Sequence, residues 1–466
     1  MSLVTDVVIV GGGITGLTAA HRLAERGVSF RLLEAGPRLG GVIRTESVDG
    51  FLLEGGPDAL LAQKPEGVAL CKELGLGARL IPTNPEKRTV FVLHRGGLHP
   101  LPEGMVLAVP TRIGPFLKSG LFSWPGKVRM GLDLLRPARR DTGDESIAAF
   151  LRRRFGQEAV DRLGEPLLAG IHAGDPERLS IRASFPRFAD LEMRYGSLIR
   201  GLWTATPKSK PGSSAFYSLA GGLGELVTAL ESRLSSSSPT SLYKDAEARG
   251  LERSNGSFRL TAGSDEVRAR SVILALPPSR SAALLHGIAS SLARSLGEIR
   301  YSNTATVCLG FRREDVSNEL DGYGLIVPRS EGLRTMACGF FSTKFPGRAP
   351  AGYVLLRGFL GGARDPEVLT LDDAGLASLV EREMGPVLGI RGPRVVSRVF
   401  RWPQGTPQLE VGHMERVAAI EGQIRETPGL FVTGAGFRVT GIPDCVADGS
   451  AAALAAHAFL AASDYS

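Results

Sequence analysis

The stretch Asp6 to Glu34 constrains this chain more than any other. Val7-Val8-Ile9-Val10 is a short apolar run of strand character, and it breaks into Gly11-Gly12-Gly13-Ile14-Thr15-Gly16. Leu17, Ala20 and Leu23 then recur at helical spacing, and a second apolar run, Phe30 to Leu33, ends on Glu34. This is G-x-G-x-x-G between a strand and a helix, with an acid closing the second strand. Gly11 permits the tight turn, Gly13 lets the backbone approach a pyrophosphate, and Gly16 lets the helix pack on the strand. The helix N-terminus faces the phosphate charge. Glu34 can accept hydrogen bonds from both hydroxyls of a ribose. The stretch predicts an α/β sheet that binds a dinucleotide, the alternative being a glycine-rich turn with nothing to hold.

The chain has 466 residues, more than one ordinary core, so two or three lobes are expected. Hydrophobic content of 43% and charged content of 22% belong to a globular protein and exclude a disordered one. The net charge of +7 is mild. A solvated surface accounts for it, as would a basic pocket for an acidic substrate or a basic face toward anionic lipid. No nucleic-acid module accompanies the charge, so nucleic acid is not an expected partner. Cys71, Cys308, Cys338 and Cys445 are far apart, with no C-x-x-C, and read as reduced thiols of a cytosolic protein. The seven histidines show no metal spacing, and no metal is expected. The first strand begins almost at Met1, which leaves no room for a signal peptide. No apolar run is expected to span a bilayer. Ala451 to Ala462 is short, holds His457, and reads as a helix packed on the nucleotide-binding sheet.

After Glu34, the loop Ala35-Gly36-Pro37-Arg38-Leu39-Gly40-Gly41-Val42-Ile43-Arg44 sets a glycine pair between two arginines. Backbone amides and guanidinium groups can there meet one pyrophosphate, so Ala35, Arg38, Gly41 and Val42 are candidate cofactor contacts. Glu54-Gly55-Gly56-Pro57-Asp58 is a rigid turn able to press the backbone against a flat ring. Asp58 either faces a substrate or caps a helix beginning near Ala59. Residues 86 to 202 are broken by prolines into short helices. Met105 to Arg140 mixes apolar residues (Phe116, Leu117, Trp124, Leu135) with bases (Arg112, Lys118, Lys127, Arg129), the pattern of a membrane-resting surface or of a packed lid.

Phe216 to Leu234 reads as a strand, a glycine turn and a helix. A hairpin at Phe258-Arg259-Leu260 with Val267 leads into the buried strand Val272 to Leu276. Residues 281 to about 415 read as an α+β lobe, with strands near Ala305, Leu325, Thr335, Tyr353 and Val395. Gly429 to Gly436 is a last strand and glycine turn, and Thr440-Gly441-Ile442 opens the final helix. A helix N-terminus returning from so far along the chain can meet the other end of a long cofactor. FAD spans such a distance, whereas NAD requires no such return. No second G-x-G-x-x-G with strand and helix flanks offers a nicotinamide site. The pattern therefore predicts FAD, emptied of electrons by oxygen or another small acceptor.

Gly11 to Gly16, Glu34, Arg38 to Arg44 and the C-terminal glycine turn resemble the FAD-dependent amine oxidase superfamily. Three stretches look specifically like its oxygen-dependent protoporphyrinogen oxidase and coproporphyrinogen III oxidase family. They are Gly170-Ile171-His172-Ala173-Gly174-Asp175-Pro176 with Leu179-Ser180, then Phe400-Arg401-Trp402-Pro403 with Pro407-Gln408 and Gly412-His413, and Gly441-Ile442-Pro443-Asp444-Cys445. The resemblance covers nearly the whole chain. It implies an α/β, discontinuous Rossmann-like FAD-binding domain (1–85, 203–280 and 420–466), a helical membrane-facing domain (86–202) and an α+β substrate domain (281–419). It implies oxidation of protoporphyrinogen IX to protoporphyrin IX in three two-electron rounds, a step of heme biosynthesis. Hydride passes from a meso carbon to flavin N5, and O2 returns as H2O2. Carried over by position, Gly56, Pro57, Asp58, Ala59, Ala248, Trp402, Thr440, Gly441 and Ile442 would join Gly11 to Gly16 around FAD. Gly170, Tyr323, Ile326 and Phe359 would line the macrocycle pocket. The resemblance is compatible with a cytoplasmic enzyme, peripheral on the inner face of the membrane, and with a homodimer.

A porphyrinogen already holds a weak C–H bond at its meso carbon, so the protein mainly has to place that carbon about 3–3.5 Å from the acceptor atom. Asp58 is the best acid–base candidate. The family often has an arginine for a propionate in the strand before Leu98-His99-Pro100. Here Val90 stands at that position and Arg88 lies nearby, so Arg88 is the propionate candidate. Asp58 and Gly120-Leu121-Phe122-Ser123 look closer to relatives that oxidise coproporphyrinogen III, which carries four propionates. Val439 replaces a usual glycine. Rival readings are coproporphyrinogen III oxidation by the same chemistry, a flavin amine oxidase, and a non-enzymatic prenyl-protein carrier on the same fold.

Overall fold

The computed structural model describes residues 2–139, 141, 143–205, 214–254, 256–263, 265–438 and 440–463. Arg140 and Val439, both singled out in the sequence, lie outside the described residues. The opening stretch forms β1 (Ser2–Val10), α1 (Ile14–Ala24) and β2 (Phe30–Leu33). β1 runs parallel to β2 on one side and to the strand Asp265–Leu274 on the other. Leu430–Val432 extends the parallel set past Asp265–Leu274, and Leu242–Tyr243 extends it past β2. The two-residue period of β1 divides its side chains between two cores. Val7 and Ile9 pack with Leu17, Ala20 and Leu23 of α1 and with Ala453 and Ala456 of the final helix. Val8 and Val10 pack on the other face with Leu285, Leu292 and Ile420. The first half of Asp265–Leu274 stays paired with β1 and, on its other edge, takes up an antiparallel pair, Ser257–Ala262 and Ala248–Ser254.

A second seven-stranded sheet runs in the order Val396–Pro407, Tyr301–Arg312, Tyr353–Gly361, Ala337–Phe340, Gly324–Ile326, Val90–His94, Gly97–Pro100. One face, with Leu325, Cys338, Val307 and Val399, packs on the helix Asp373–Leu388. The hairpin Val90–Pro100 corrects the sequence expectation, which grouped it with the helical segment 86–202. Val90 to Val92 pair with Gly324 to Ile326, a long-range parallel pairing that local pattern does not reveal. The helical segment proper begins beyond it. Its helices include Trp124–Gly131, Ile147–Phe155, Glu165–His172, Pro186–Tyr195 and Leu198–Ala205. Ser123 and Ser146 cap two of them by accepting from Gly126 N and Ala149 N. They share a core of Phe116, Phe122, Phe150, Leu151, Phe155 and Leu202, which also takes in Val92, Ile326 and Ala337 of the second sheet.

The final helix, Ile442–Ser463, opens at Ile442 as the sequence indicated and takes in the apolar run Ala451 to Ala462. Among the described residues it is the one helix long and apolar enough to cross a membrane by length and composition. Its place is in the nucleotide-binding core, where Cys445, Val446, Ala453, Ala456 and Leu460 are buried beside α1.

Candidate active site

The turn between β1 and α1 leaves one glycine facing open space. A Cβ on Gly11 (φ +109°) would lie 2.5 Å from the Ala275 oxygen, and one on Gly16 would lie 1.9 Å from the Gly11 oxygen. A Cβ on Gly12 would meet Leu39 at 2.6 Å, but one on Gly13 would meet nothing within 4 Å. Gly13 is also the N-cap of α1, with no side-chain cap and no acid in the first turn. The free N–H groups there suit a diphosphate. Ile14 and Thr15 are buried behind them. Glu34 accepts from Gly12 N and Gly36 N, both at 2.8 Å, so the turn itself holds the carboxylate in place. The Glu34 carbonyl accepts from Ala246 N at 2.9 Å, which brings the start of the strand containing Ala248 alongside.

Gly40 N donates to the Gly12 carbonyl at 2.8 Å and seats the glycine-pair loop on the same turn, with Ala35, Gly41 and Val42 exposed. Arg38 binds the carbonyls of Leu39, Gly41 and Ile43 and so shapes that loop from within. Arg44 does not reach toward the turn with it: its guanidinium pairs with Glu46 at 2.6 Å. The final helix arrives at the same place. A Cβ on Gly449 would lie 2.4 Å from the Thr15 oxygen, and Asp448 accepts from Thr433 Oγ1 and Gly434 N. Thr440 is exposed, just before the helix that begins at Ile442. The residues present at the glycine turn fit a dinucleotide.

The Gly55-Gly56-Pro57-Asp58 turn is clamped from several directions. Gly55 N donates to the Arg44 carbonyl at 2.8 Å, and Trp402 Nε1 donates to the Gly55 carbonyl at 2.9 Å. A Cβ on Gly55 would strike the Phe400 ring at 2.5 Å, and one on Gly56 would strike the Val42 oxygen at 1.7 Å. Residues 57–59 are half-buried loop, and no helix starts at Ala59, so Asp58 is not a helix cap. Its carboxylate lies 2.5 Å from Lys344 Nζ and 4.0 Å from Arg357 Nη1. Burial pushes the Asp58 carboxyl up, but Lys344 and Arg357 outweigh burial and hold it below the usual range. A carboxylate held low between two cations is a poor proton acceptor, which argues for a positioning role rather than general base work. Just before the turn, fully buried Glu54 accepts from Leu223 N and Thr45 Oγ1, each at 2.7 Å, and burial pushes it up to about 7.

The second sheet supplies a wall that leads away from this turn. Its register aligns Ile326, Ala337 and Phe359 across three adjacent strands, on the face opposite the helix Asp373–Leu388. A Cβ on Gly170 would lie 3.7 Å from Ala337 Cβ and 3.9 Å from Ile326 Cγ2, so Gly170 lies against this wall. Phe359 joins Ala169, Ala173 and Met336 in a small apolar cluster. Arg357, two residues before Phe359 and on the same face, reaches the Gly56 carbonyl and ties wall to turn. Tyr323 places its hydroxyl 2.8 Å from Thr83 Oγ1 and 2.9 Å from the Asn84 carbonyl. Arg88 is exposed and folded back on the Pro85 carbonyl at 2.9 Å, outside this group. Lys344 and Arg357 were not anticipated from the sequence. The two-residue period of the strand near Tyr353 puts Arg357 on the face of Phe359, but only strand register shows that Ala337 lies beside Phe359.

Among the described residues, ligand atoms of His21, Glu25 and Glu73 gather within 4.8 Å of one another. Arg22 already bridges both carboxylates, at 2.8 and 2.6 Å, so the cluster is balanced without an ion.

A sequence model of the flavin containing amine oxidoreductases matches residues 14–457. The chain is 35% identical to a coproporphyrinogen III oxidase of Bacillus subtilis, over 97% of this chain and 98% of that one. It is 34% identical to a chloroplastic protoporphyrinogen oxidase of Spinacia oleracea, over 92% of this chain and 80% of that one. A crystal structure from Exiguobacterium, assigned provisionally as a protoporphyrinogen oxidase, superposes with a TM-score of 0.86 at 31% identity, covering 98% of this chain and 99% of that one. With the glycine turn, Glu34 and the returning final helix in one place, the chain belongs to the flavin-containing amine oxidoreductases, in the branch of the porphyrinogen oxidases, and is an FAD-dependent oxidoreductase.

Proposed function

We propose that this enzyme oxidises a porphyrinogen to the porphyrin. Each of three rounds removes two electrons and two protons from the macrocycle, and one O2 becomes one H2O2. The observation that carries the reading is the continuous apolar wall from Gly170 through Ile326, Ala337 and Phe359 to the clamped Gly55-Gly56 turn. It offers a large flat substrate one face and leads it to where the backbone is pressed toward the cofactor. The bound flavin supplies the two-electron acceptor. The chain's own residues do the rest. Trp402, Phe400 and Arg357 fix the turn. Phe359 and Ile326 exclude water from one face of the macrocycle. Asp58, paired to Lys344, keeps the site's charge in place.

Protoporphyrinogen IX is the substrate that the sequence pattern puts first. Coproporphyrinogen III has an observation of its own in its favour: Lys344 and Arg357 face a single carboxylate, Asp58, which suits the substrate richer in carboxylates. Side-by-side turnover of the two porphyrinogens by the FAD-loaded protein, followed by porphyrin fluorescence, separates them. No fluorescence from either overturns the proposal, and peroxide release from amines would favour the amine oxidase instead.

The helical segment also supports a peripheral membrane position for a cytoplasmic enzyme. Ile113, Leu117, Trp124, Val128 and Leu135 are all exposed, beside exposed Arg112 and Lys118 and with Lys127 4.5 Å over the Trp124 ring.

A further inference from the structure

Resting on the porphyrinogen reading, we propose that Arg357 and Lys344 together form the receiving site for a carboxylate of the substrate. Arg357 is 2% exposed and is held between two rings, 4.9 Å from the Phe341 centroid and 4.8 Å from that of Phe359. A guanidinium carries five N–H donors, and burying it with donors idle is costly. One donor goes to the Gly56 carbonyl, Nη1 stands 4.0 Å from Asp58 Oδ1, and Nε has no partner among the described residues. Lys344 spends its closest contact on the same Asp58, and the Phe216, Phe341 and Phe345 rings surround its ammonium at 5.2–5.9 Å. Two cations thus meet one close carboxylate in an apolar setting, and the other acid near Arg357, buried Glu54, is pushed by that burial toward its neutral form, which leaves an excess that attracts one further anion. The neighbouring Arg348 gives its Nη donors to the carbonyls of Leu219 and Ala220 and to Ser218 Oγ, and only its Nε has no partner among the described residues.

Position identifies the anion. Phe359 belongs both to the wall and to the stack that orients Arg357, so a macrocycle lying on Phe359 carries its carboxylates toward that guanidinium. The side chains of Lys344 and Asp58 remain 18% and 20% exposed, which leaves the cluster a way in. Arg88, the arginine expected from the sequence, is exposed and turned onto the Pro85 carbonyl.

The test is binding of coproporphyrin III and of its tetramethyl ester to the FAD-loaded full-length protein, read by the porphyrin Soret shift. The wild type should favour the free acid over the ester by about tenfold, the worth of one charge-assisted hydrogen bond. Arg357→Gln and Lys344→Met should each bring that ratio toward unity, and Arg357→Lys should restore part of it. Acid-to-ester ratios unchanged in both variants overturn the inference, all the more if flavin is lost, since the cations would then serve the cofactor turn alone. Where Arg357→Gln fails to fold, Lys344→Met decides. A wild type that binds neither acid nor ester removes the porphyrinogen reading itself.

Discussion

A Cβ on Gly56 has nowhere to go, since it would lie 1.7 Å from the Val42 carbonyl oxygen. Gly56→Ala should force the cofactor turn off the loop beneath it, costing about 1–3 kcal/mol of stability and lowering the flavin retained on purification. Thermal melts and the flavin-to-protein absorbance ratio check this. Glu34→Ala removes an acceptor that two backbone N–H groups hold in place. It should weaken FAD binding by about tenfold, measured by equilibrium titration of the apoprotein. Glu54 gives a pH signature. Burial lifts it from its ordinary 4.5 to about 7, so the folded protein keeps a proton that the unfolded chain has released. Its contribution is therefore full below pH 4.5 and is lost as pH rises through 7, a span worth about 3 kcal/mol. Glu54→Gln should flatten the fall in melting temperature across that window, and an unchanged slope would exclude the assignment. Gly13 and Glu34 were legible in the sequence because both belong to one strand–turn–helix–strand unit, whose motif spacing is fixed. Lys344 and Arg357 were not, because their partners Asp58 and Gly56 are brought near only by folding.

The element scale shows the same division. Five strands of the second sheet could be read one by one from their apolar runs, but their order could not. Val90–His94 pairs with Gly324–Ile326 far along the chain, whereas its local sequence suggested the proline-broken segment that follows. The final helix was readable from its apolar composition. What fixes its depth against α1 is Gly449, where a Cβ would come 2.4 Å from the Thr15 oxygen. Gly449→Val should lift the helix from α1, lower the melting temperature and release flavin. A variant that melts and holds FAD like the wild type would show that the contact has slack.

For the whole molecule, we propose that the exposed apolar face of the helical segment serves membrane contact rather than catalysis. Trp124→Asp with Val128→Asp should reduce co-sedimentation with vesicles containing anionic lipid, while turnover in detergent stays near the wild-type rate. Equal sedimentation of the two proteins would remove the membrane reading. The sequence suggested this face by composition, yet it could not separate Phe116, Phe122 and Met130, which are core, from Trp124 and Leu135, which are not.

The central position of β1 also has a consequence for how the protein is made. Its neighbours are β2, available at once, and Asp265–Leu274, while α1 awaits the helix that begins at Ile442. At about 5–20 residues per second, the first glycine turn leaves the ribosome tens of seconds before the residues that enclose it. Through that interval Val7 to Val10 is a strand with one edge unpaired. Flavin capture is then a post-translational event, and a nascent chain arrested before Leu430 should be released colourless.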